Sequence, residues 1–315
     1  MIDFGTVLNA VIPVFAIMAA GLVIRRLNWL NEVADESLFR VVVNVLMPCL
    51  ILSTSLGNPA LHDVRNLILA PAVGIVTVLV GVALAWLVSR AMTFRDEPAR
   101  RTFAISTGLY NYGYIPLPLT LLLFDDQTAG VLFLHNVGVE VCLWSALLLY
   151  LTGGSLGRDW RKMFNAPLVA IVLALLLNFT GAAAHIPESL LTVLQLLGKC
   201  AFPLALMLVG ATIADHLGEL KSSKGWWPVL PALVLRMAVL PMGFLLLAKY
   251  LPASLELKRV IVLEAAMPAA VVPIVLARHY GGDPAMALRI VLATSVAGLV
   301  AIPLWIRWGL KFAGL

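Results

Sequence analysis

The sequence predicts an all-α integral membrane protein of ten transmembrane helices, built as two inverted five-helix repeats. Three observations predict it. Of the 315 residues, 61% are hydrophobic and only 12% charged, where a soluble domain is about 45–50% apolar and about 25% charged. The apolar residues fall into ten stretches of about the length a membrane span needs, roughly 20 residues. A weak pattern also recurs at an offset of half the chain.

The stretches run roughly 4–24, 37–56, 67–89, 101–124, 128–151, 166–184, 188–213, 228–250, 257–278 and 285–307. The first has no basic residues before it and is too long for the core of a signal peptide, so it reads as a retained helix. Pro13, Pro71, Pro231, Pro241 and Pro303 stand alone in their stretches and read as simple kinks. The fourth stretch is different. GLYNYGYIPLPLT, residues 108–120, carries two glycines, an asparagine and two prolines where a span should be unbroken. Proline lacks an N–H and clashes with the preceding turn, so Pro116 and Pro118 are expected to break this helix. Pro268 and Pro273 are expected to break the ninth.

The two breaks coincide under the repeat. Pro116 and Asp126 recur as Pro273 and Asp283, and Arg101 recurs as Lys258, all at an offset of 157. Asn44, four before Pro48, has a shifted counterpart in Lys199, four before Pro203. Residues 1–151 then form the first repeat, 152–165 a connector and 166–315 the second repeat. An odd number of spans per repeat turns the second unit upside down, the plan of many secondary transporters. Interrupted helices at matching places in the two halves point to a substrate site. Their half-helix N-termini offer spare N–H donors and a positive dipole end to an anion.

The short loops set the orientation. Thirteen Lys and Arg lie in the odd-numbered loops: 25, 26, 90, 95, 100, 101, 158, 161, 162, 221, 224, 278 and 289. Six lie in the even loops and termini: 65, 249, 258, 259, 307 and 311. The excess predicts cytoplasmic odd loops and both termini outside, in the cytoplasmic (inner) membrane. The net charge of +5 is therefore read as orientation, not nucleic-acid binding.

Ionisable residues at mid-span are functional candidates because each is costly there. They are Glu140, Lys199, Arg236 and Glu264. Lys199 is a candidate partner for a substrate carboxylate or for an acidic neighbour. Glu140 and Glu264 are candidates for proton or sodium coupling, and Arg236 for an ion pair. Asn44, Asn111, Tyr112 and Asn136 are candidate substrate contacts, with helix–helix hydrogen bonding as the alternative role. The five histidines are scattered and read as structural, His135 included. Cys49, Cys142 and Cys200 have neither metal nor redox spacing. GGSLG at 153–157 follows no strand and reads as a flexible connector, and no catalytic or nucleotide motif is present. No catalytic residue, metal site or cofactor is expected.

Five segments carry a family likeness: NVLMPCLILSTSL (44–56), NYGYIPLPL (111–119), AFPLALMLVGATIA (201–214), MPAAVVPIVLARHYGGD (267–283) and VLATSVAGLVAIPLW (291–305). On these the chain resembles the auxin efflux carrier family in its short-loop prokaryotic form. The resemblance implies helices 4 and 9 broken at their prolines and crossing near the membrane centre, as in the related architecture of the bile-acid/sodium symporters. It implies an elevator-like movement, a homodimer and a small carboxylate substrate. Plant members export indole-3-acetate, and prokaryotic members are linked to malate, malonate and similar acids. It implies a site at the crossing, here Asn44, Asn111, Asn136, Lys199, Pro116 and Pro273. The long cytoplasmic loop of many plant members is missing, and with it any regulation through that loop.

The sequence thus leads to a secondary carrier of small organic anions. The rivals are an ion or solute channel, a sodium-coupled symporter of a larger anion, and a membrane enzyme, for which no cluster of catalytic groups is visible.

Overall fold

A computed structural model describes residues 3–154, 159–217 and 226–315, so most of GGSLG and of the 214–225 loop lies outside the described residues. All long regular elements among the described residues are helices. In chain order they are α1 (Phe4–Arg26), α2 (Glu32–Ser55), α3 (Val64–Arg90), α4 (Glu97–Gly108), α5 (Pro116–Leu123) and α6 (Asp126–Thr152). There follow α7 (Ala166–Phe179), α8 (Glu188–Asp215), α9 (Val229–Tyr250), α10 (Leu255–Ala265), α11 (Val272–His279) and α12 (Pro284–Ala313).

Seven of these are long and apolar enough to cross a membrane: α1, α2, α3, α6, α8, α9 and α12. Large apolar side chains such as Ile12, Val76, Val80, Leu176, Val296 and Val300 stand exposed on them. An apolar surface that extensive suits lipid rather than water. The fourth and ninth stretches of the sequence are each two short helices with an unhelical segment between. The sixth is shorter than its apolar run: α7 ends at Phe179, and Gly181, at φ 74°, turns the chain before a separate short turn at Ala182–His185.

Local chemistry sets the helix starts. Asp3, Asn31, Asp63, Asp96, Asp125, Asn165, Ser254 and Asp283 each precede a helix, and each side chain accepts from a first-turn N–H. That removes one of the orphan donors of the terminus. These caps lie at span ends, where a polar residue can reach water.

Tertiary packing sorts the helices into two sets. In one, α1 packs along α8, and α2 along α7 and α8. In the other, α3 packs on α6 and α4, α9 on α10, and α12 on α4, α9, α10 and α11. The sets meet where α2 touches α6 and where α1 touches α5 and α12. Each set draws helices from both halves of the chain. The α1–α8 contact is close enough that a Cβ on Gly21 would strike the Met207 backbone, and one on Gly210 the Met18 backbone. Small residues are what permit such an approach in apolar surroundings. At one end Arg25, largely buried, pairs with Asp35 of α2 and with Asp215 of α8 at 3.1 Å, tying three helices of the first set together.

Candidate functional site

The site begins where α4 and α10 stop. Leu109–Ile115 and Ala266–Val271 follow them without helical structure and pass one another antiparallel. The Ala270 N–H donates to the Leu109 carbonyl at 3.0 Å, and the Asn111 N–H donates to the Pro268 carbonyl at 2.8 Å. The Ala269 N–H donates to Thr294 Oγ1 of α12 at 3.1 Å. Backbone groups freed by a broken helix are costly in hydrocarbon and tolerable when partnered inside protein. Here each break supplies partners for the other.

The prolines do not act as the sequence suggested. Pro116 opens α5, and Pro273 lies in the first turn of α11. First-turn residues have no intrahelical acceptor for an N–H, so proline costs little there and presets the helical φ. Pro118 is also in the first turn of α5. These prolines restart helices already interrupted upstream, while Pro268 lies within its break and supplies the carbonyl bonded by Asn111. The bounds of α4 and α10, and of α5 and α11, keep offsets of 156–158, close to the 157 read from the sequence.

Beside the crossing lies a cavity of about 410 Å³, within the usual range for small-molecule sites. Its walls come from both helix sets: Met47 and Ile51 of α2 and Ile171 of α7 on one side, Phe133, Asn136, Glu140 and Trp144 of α6 on the other. The first break contributes Asn111, Tyr112, Gly113 and Tyr114, the second Ala270 and Val271. The lining is mainly apolar and aromatic.

Its polar groups are few. The Tyr112 hydroxyl donates to Glu140 Oε1 at 2.7 Å, and Trp144 Nε1 donates to Glu140 Oε2 at 2.7 Å. Both carboxyl oxygens of Glu140 therefore have donors. Asn111 Oδ1 accepts from the Ile115 N–H at 3.3 Å, which shapes the turn into α5. Lys162, from the connector between α6 and α7, lines the cavity with its ammonium 5.5 Å from the Trp144 ring centre and 5.9 Å from that of Tyr280. An ammonium at that range is attracted to the ring faces.

A second polar group lies behind the wall. Asn136 Oδ1 is 3.2 Å from His135 Nδ1, and His135 Nε2 is 3.2 Å from the Tyr110 hydroxyl. That hydroxyl also meets Thr77 Oγ1 at 2.7 Å. The Arg236 guanidinium sits 5.4 Å from the ring centres of Tyr110 and Phe244, and its Nη1 donates to the Gly108 carbonyl, the end of α4, at 3.3 Å. Arg236 and Glu264 are both fully buried.

Of the residues singled out from sequence, Asn111, Tyr112, Asn136 and Glu140 come together around the cavity. Pro116, Pro118, Pro268 and Pro273 shape the crossing beside it, and Glu264, near the end of α10, is fully buried outside the cavity lining. Asn44 and Lys199 are not brought in. Asn44 is exposed, and its amide donates to the Arg40 carbonyl at 2.8 Å. Lys199 is exposed at the end of a helical segment that breaks at Cys200. Pro203 cannot donate to the Lys199 carbonyl, so the helix face that would join Lys199 to Pro203 is interrupted. Sequence reasoning did not single out Lys162, Trp144 or Tyr110, while His135, read as structural, is buried between Asn136 and Tyr110. Trp144 was findable, four residues after Glu140 on one helix face. Lys162 was not, because only the fold returns the connector to the cavity.

A multi-pass helical membrane protein whose polar side chains converge on an apolar-walled cavity beside two interrupted helices has the form of a membrane transporter. The family model described as membrane transport protein matches residues 6–159 and 155–306. The chain belongs to that family, the auxin efflux carrier family its motifs resemble. It is 27% identical over 313 residues to an uncharacterized transporter of Methanothermobacter thermautotrophicus, covering 97% of this chain and 99% of the relative. It is 24% identical over 305 residues to an uncharacterized transporter of Methanocaldococcus jannaschii, covering 95% and 97%. The family is one of membrane transporters.

Proposed function

We propose that the protein is a secondary carrier of small organic anions, dicarboxylates or auxin-like acids, across the cytoplasmic membrane. The observation that carries this reading is the cavity itself, walled by both helix sets at the meeting of two broken helices. A solute held there by the α3–α6 and α9–α12 set would cross if that set slid along α1, α2, α7 and α8, an elevator movement. The matched offsets of the half-helices support ten membrane segments in two inverted repeats, and the excess of Lys and Arg in the odd-numbered loops supports both termini outside. A homodimer through the exposed faces of the α1, α2, α7 and α8 set completes the reading.

The anion would meet the amides of Asn111 and Asn136 and the Lys162 ammonium; α5 offers it little, because Pro116 and Pro118 take first-turn places without an N–H and the Leu117 N–H donates to the Gly113 carbonyl. Glu140, with both oxygens bonded, would orient Tyr112 and Trp144 rather than face the substrate. A proton or sodium ion would couple transport through Glu140 or Glu264. One observation favours a second reading: Glu140 among Tyr112, Tyr114 and Trp144 also resembles an aromatic cage for an organic cation.

Thermal-shift screening of the purified protein tests this, because a ligand of the folded state raises its apparent stability. The panel holds malate, malonate, indole-3-acetate and a tetraalkylammonium ion. Stabilisation by an acid that is lost in Lys162→Ala and kept in Lys199→Ala is the expected result. Stabilisation by the ammonium ion alone would replace the anion reading with the cation one.

A further inference from the structure

We propose that His135 is a positioning residue that turns the Asn136 amide, holding its oxygen in the wall so that its NH2 group faces the cavity and the site takes a carboxylate in preference to the matching amide. The substrate preference rests on the carrier reading; the direction of the amide stands on the geometry.

Four residues lining the cavity carry an amide or carboxyl oxygen: Asn111, Asn136, Glu140 and Asn165. Three of them already accept from the protein. Asn111 Oδ1 takes the Ile115 N–H at 3.3 Å, Asn165 Oδ1 the Leu168 N–H at 3.0 Å, and the two Glu140 oxygens the Tyr112 hydroxyl and Trp144 Nε1. The fourth, Asn136 Oδ1, is 3.2 Å from His135 Nδ1. An amide whose oxygen is held in the wall has its N–H donors left to give. A carboxylate accepts at both oxygens and suits such donors, whereas a primary amide brings an NH2 group of its own to the same place. A buried donor that meets another donor loses a hydrogen bond and gains none.

For Asn136 the direction depends on one hydrogen. His135 is buried, and its two ring nitrogens meet an amide oxygen and a phenol hydroxyl, both uncharged. A charged ring there would have lost water without gaining an opposite charge, so the ring is neutral and carries a single N–H. An amide oxygen only accepts, which places that hydrogen on Nδ1. Nε2 is then the acceptor, and the Tyr110 hydroxyl donates to it at 3.2 Å. The opposite tautomer, with the hydrogen on Nε2, would need the amide reversed and would present an oxygen to the cavity. The tautomer of His135 and the face of Asn136 are therefore one choice.

The surroundings hold that choice in place. A Cβ on Gly74 would lie 2.3 Å from the His135 carbonyl, so the glycine lets α6 press against α3 at this level. Thr77, a turn further along α3, puts its Oγ1 2.7 Å from the Tyr110 hydroxyl. The Tyr110 ring meets Phe244 edge-on with ring centres 5.4 Å apart, and the Arg236 guanidinium lies 5.4 Å from the Tyr110 ring centre. This packing fixes the hydroxyl that keeps His135 Nε2 bare.

Nitrogen NMR of the full chain, isotope-labelled at histidine and free of substrate, reads the tautomer. Replacing the other histidines, at 62, 185, 216 and 279, with glutamine leaves only the His135 signals. We expect the N–H on Nδ1 and a bare Nε2, told apart because only Nε2 is bonded to Cδ2. An N–H on Nε2, or on both nitrogens, would overturn the proposal. Thermal shifts read the consequence, with malonate against malonamide and indole-3-acetate against indole-3-acetamide. Wild type should favour the acid. His135→Leu, which removes the donor, should cut that preference roughly tenfold, the scale of one hydrogen bond to a charged group. His135→Asn, whose amide nitrogen takes the place of Nδ1, should restore it. An amide that binds wild type as well as its acid does, or a preference that His135→Leu leaves unchanged, would refute the role of His135. Should His135→Leu fail to fold, the tautomer and the wild-type preference decide. If neither acids nor amides bind, the carrier reading falls, and the tautomer still decides the direction of Asn136.

Discussion

At 109–115 the chain reads LYNYGYI, and at 266–271 it reads AMPAAV. Both segments follow a half-helix, precede another, and bond to each other through one N–H apiece. Their backbones do the same work, but their side chains do not. The first arm puts Asn111, Tyr112 and Tyr114 on the cavity wall, and the second adds only Ala270 and Val271. The second arm has no charge of its own, and Glu264, two residues before it in α10, is fully buried. The difference teaches that a crossing can be symmetric in hydrogen bonding and one-sided in chemistry, with one arm for contact with a solute and the other for close backbone approach.

The loops that tie the arms together divide in the same way. After α5, Asp125 accepts from Arg259 of α10 at 2.9 Å. After α11, the Asp283 N–H donates to Thr102 Oγ1 of α4 at 3.1 Å. Thr102 and Arg259 are themselves 157 apart. One tie is an ion pair and the other a neutral hydrogen bond.

The largest expected effect tests the backbone equivalence. Asn111→Pro and Ala270→Pro each delete one cross-arm N–H and strand a buried carbonyl, at a cost of about 2 kcal/mol or more. Thermal unfolding in detergent should show both midpoints falling by similar amounts; a large fall in one alone would break the equivalence. Next in size is the chemical asymmetry. Asn111→Ala and Tyr112→Phe should weaken binding of whichever acid stabilises the protein by about tenfold, roughly 1.4 kcal/mol each. Ala270→Ser should leave it unchanged, and equal losses from both arms would make the second arm a binding surface too.

The smallest effect concerns the ties. Burial works against the Asp125 carboxylate, but hydrogen bonds from the Thr128 N–H and hydroxyl, with Arg259, outweigh it and hold the group below its ordinary value of 3.8. A carboxyl lowered on folding stabilises above its unfolded value, and that contribution fades as pH falls through the lower folded value. Below about pH 4 the thermal midpoint should therefore drop further in wild type than in Asp125→Asn. Thr102→Ala, which removes the neutral tie, should lower the midpoint by the same amount at every pH.

The sequence by itself determined the membrane class, the helix starts and the places of the two breaks. Each is a local property: hydropathy over a span, a capping side chain beside its own first turn, and proline at a helix start. Spacing along one helix is equally local, and Asn136 and Glu140, four residues apart, share the cavity. Only the tertiary structure decided which polar residues meet. Asn44 and Lys199 held matching places in the repeat, yet both are exposed, because a position along a span does not specify the direction a side chain points around it. Lys162 reached the cavity from a connector with no signal of its own. The buried chain of His135, Tyr110 and Arg236 draws on three separate segments, and no pattern along one of them could show that they meet.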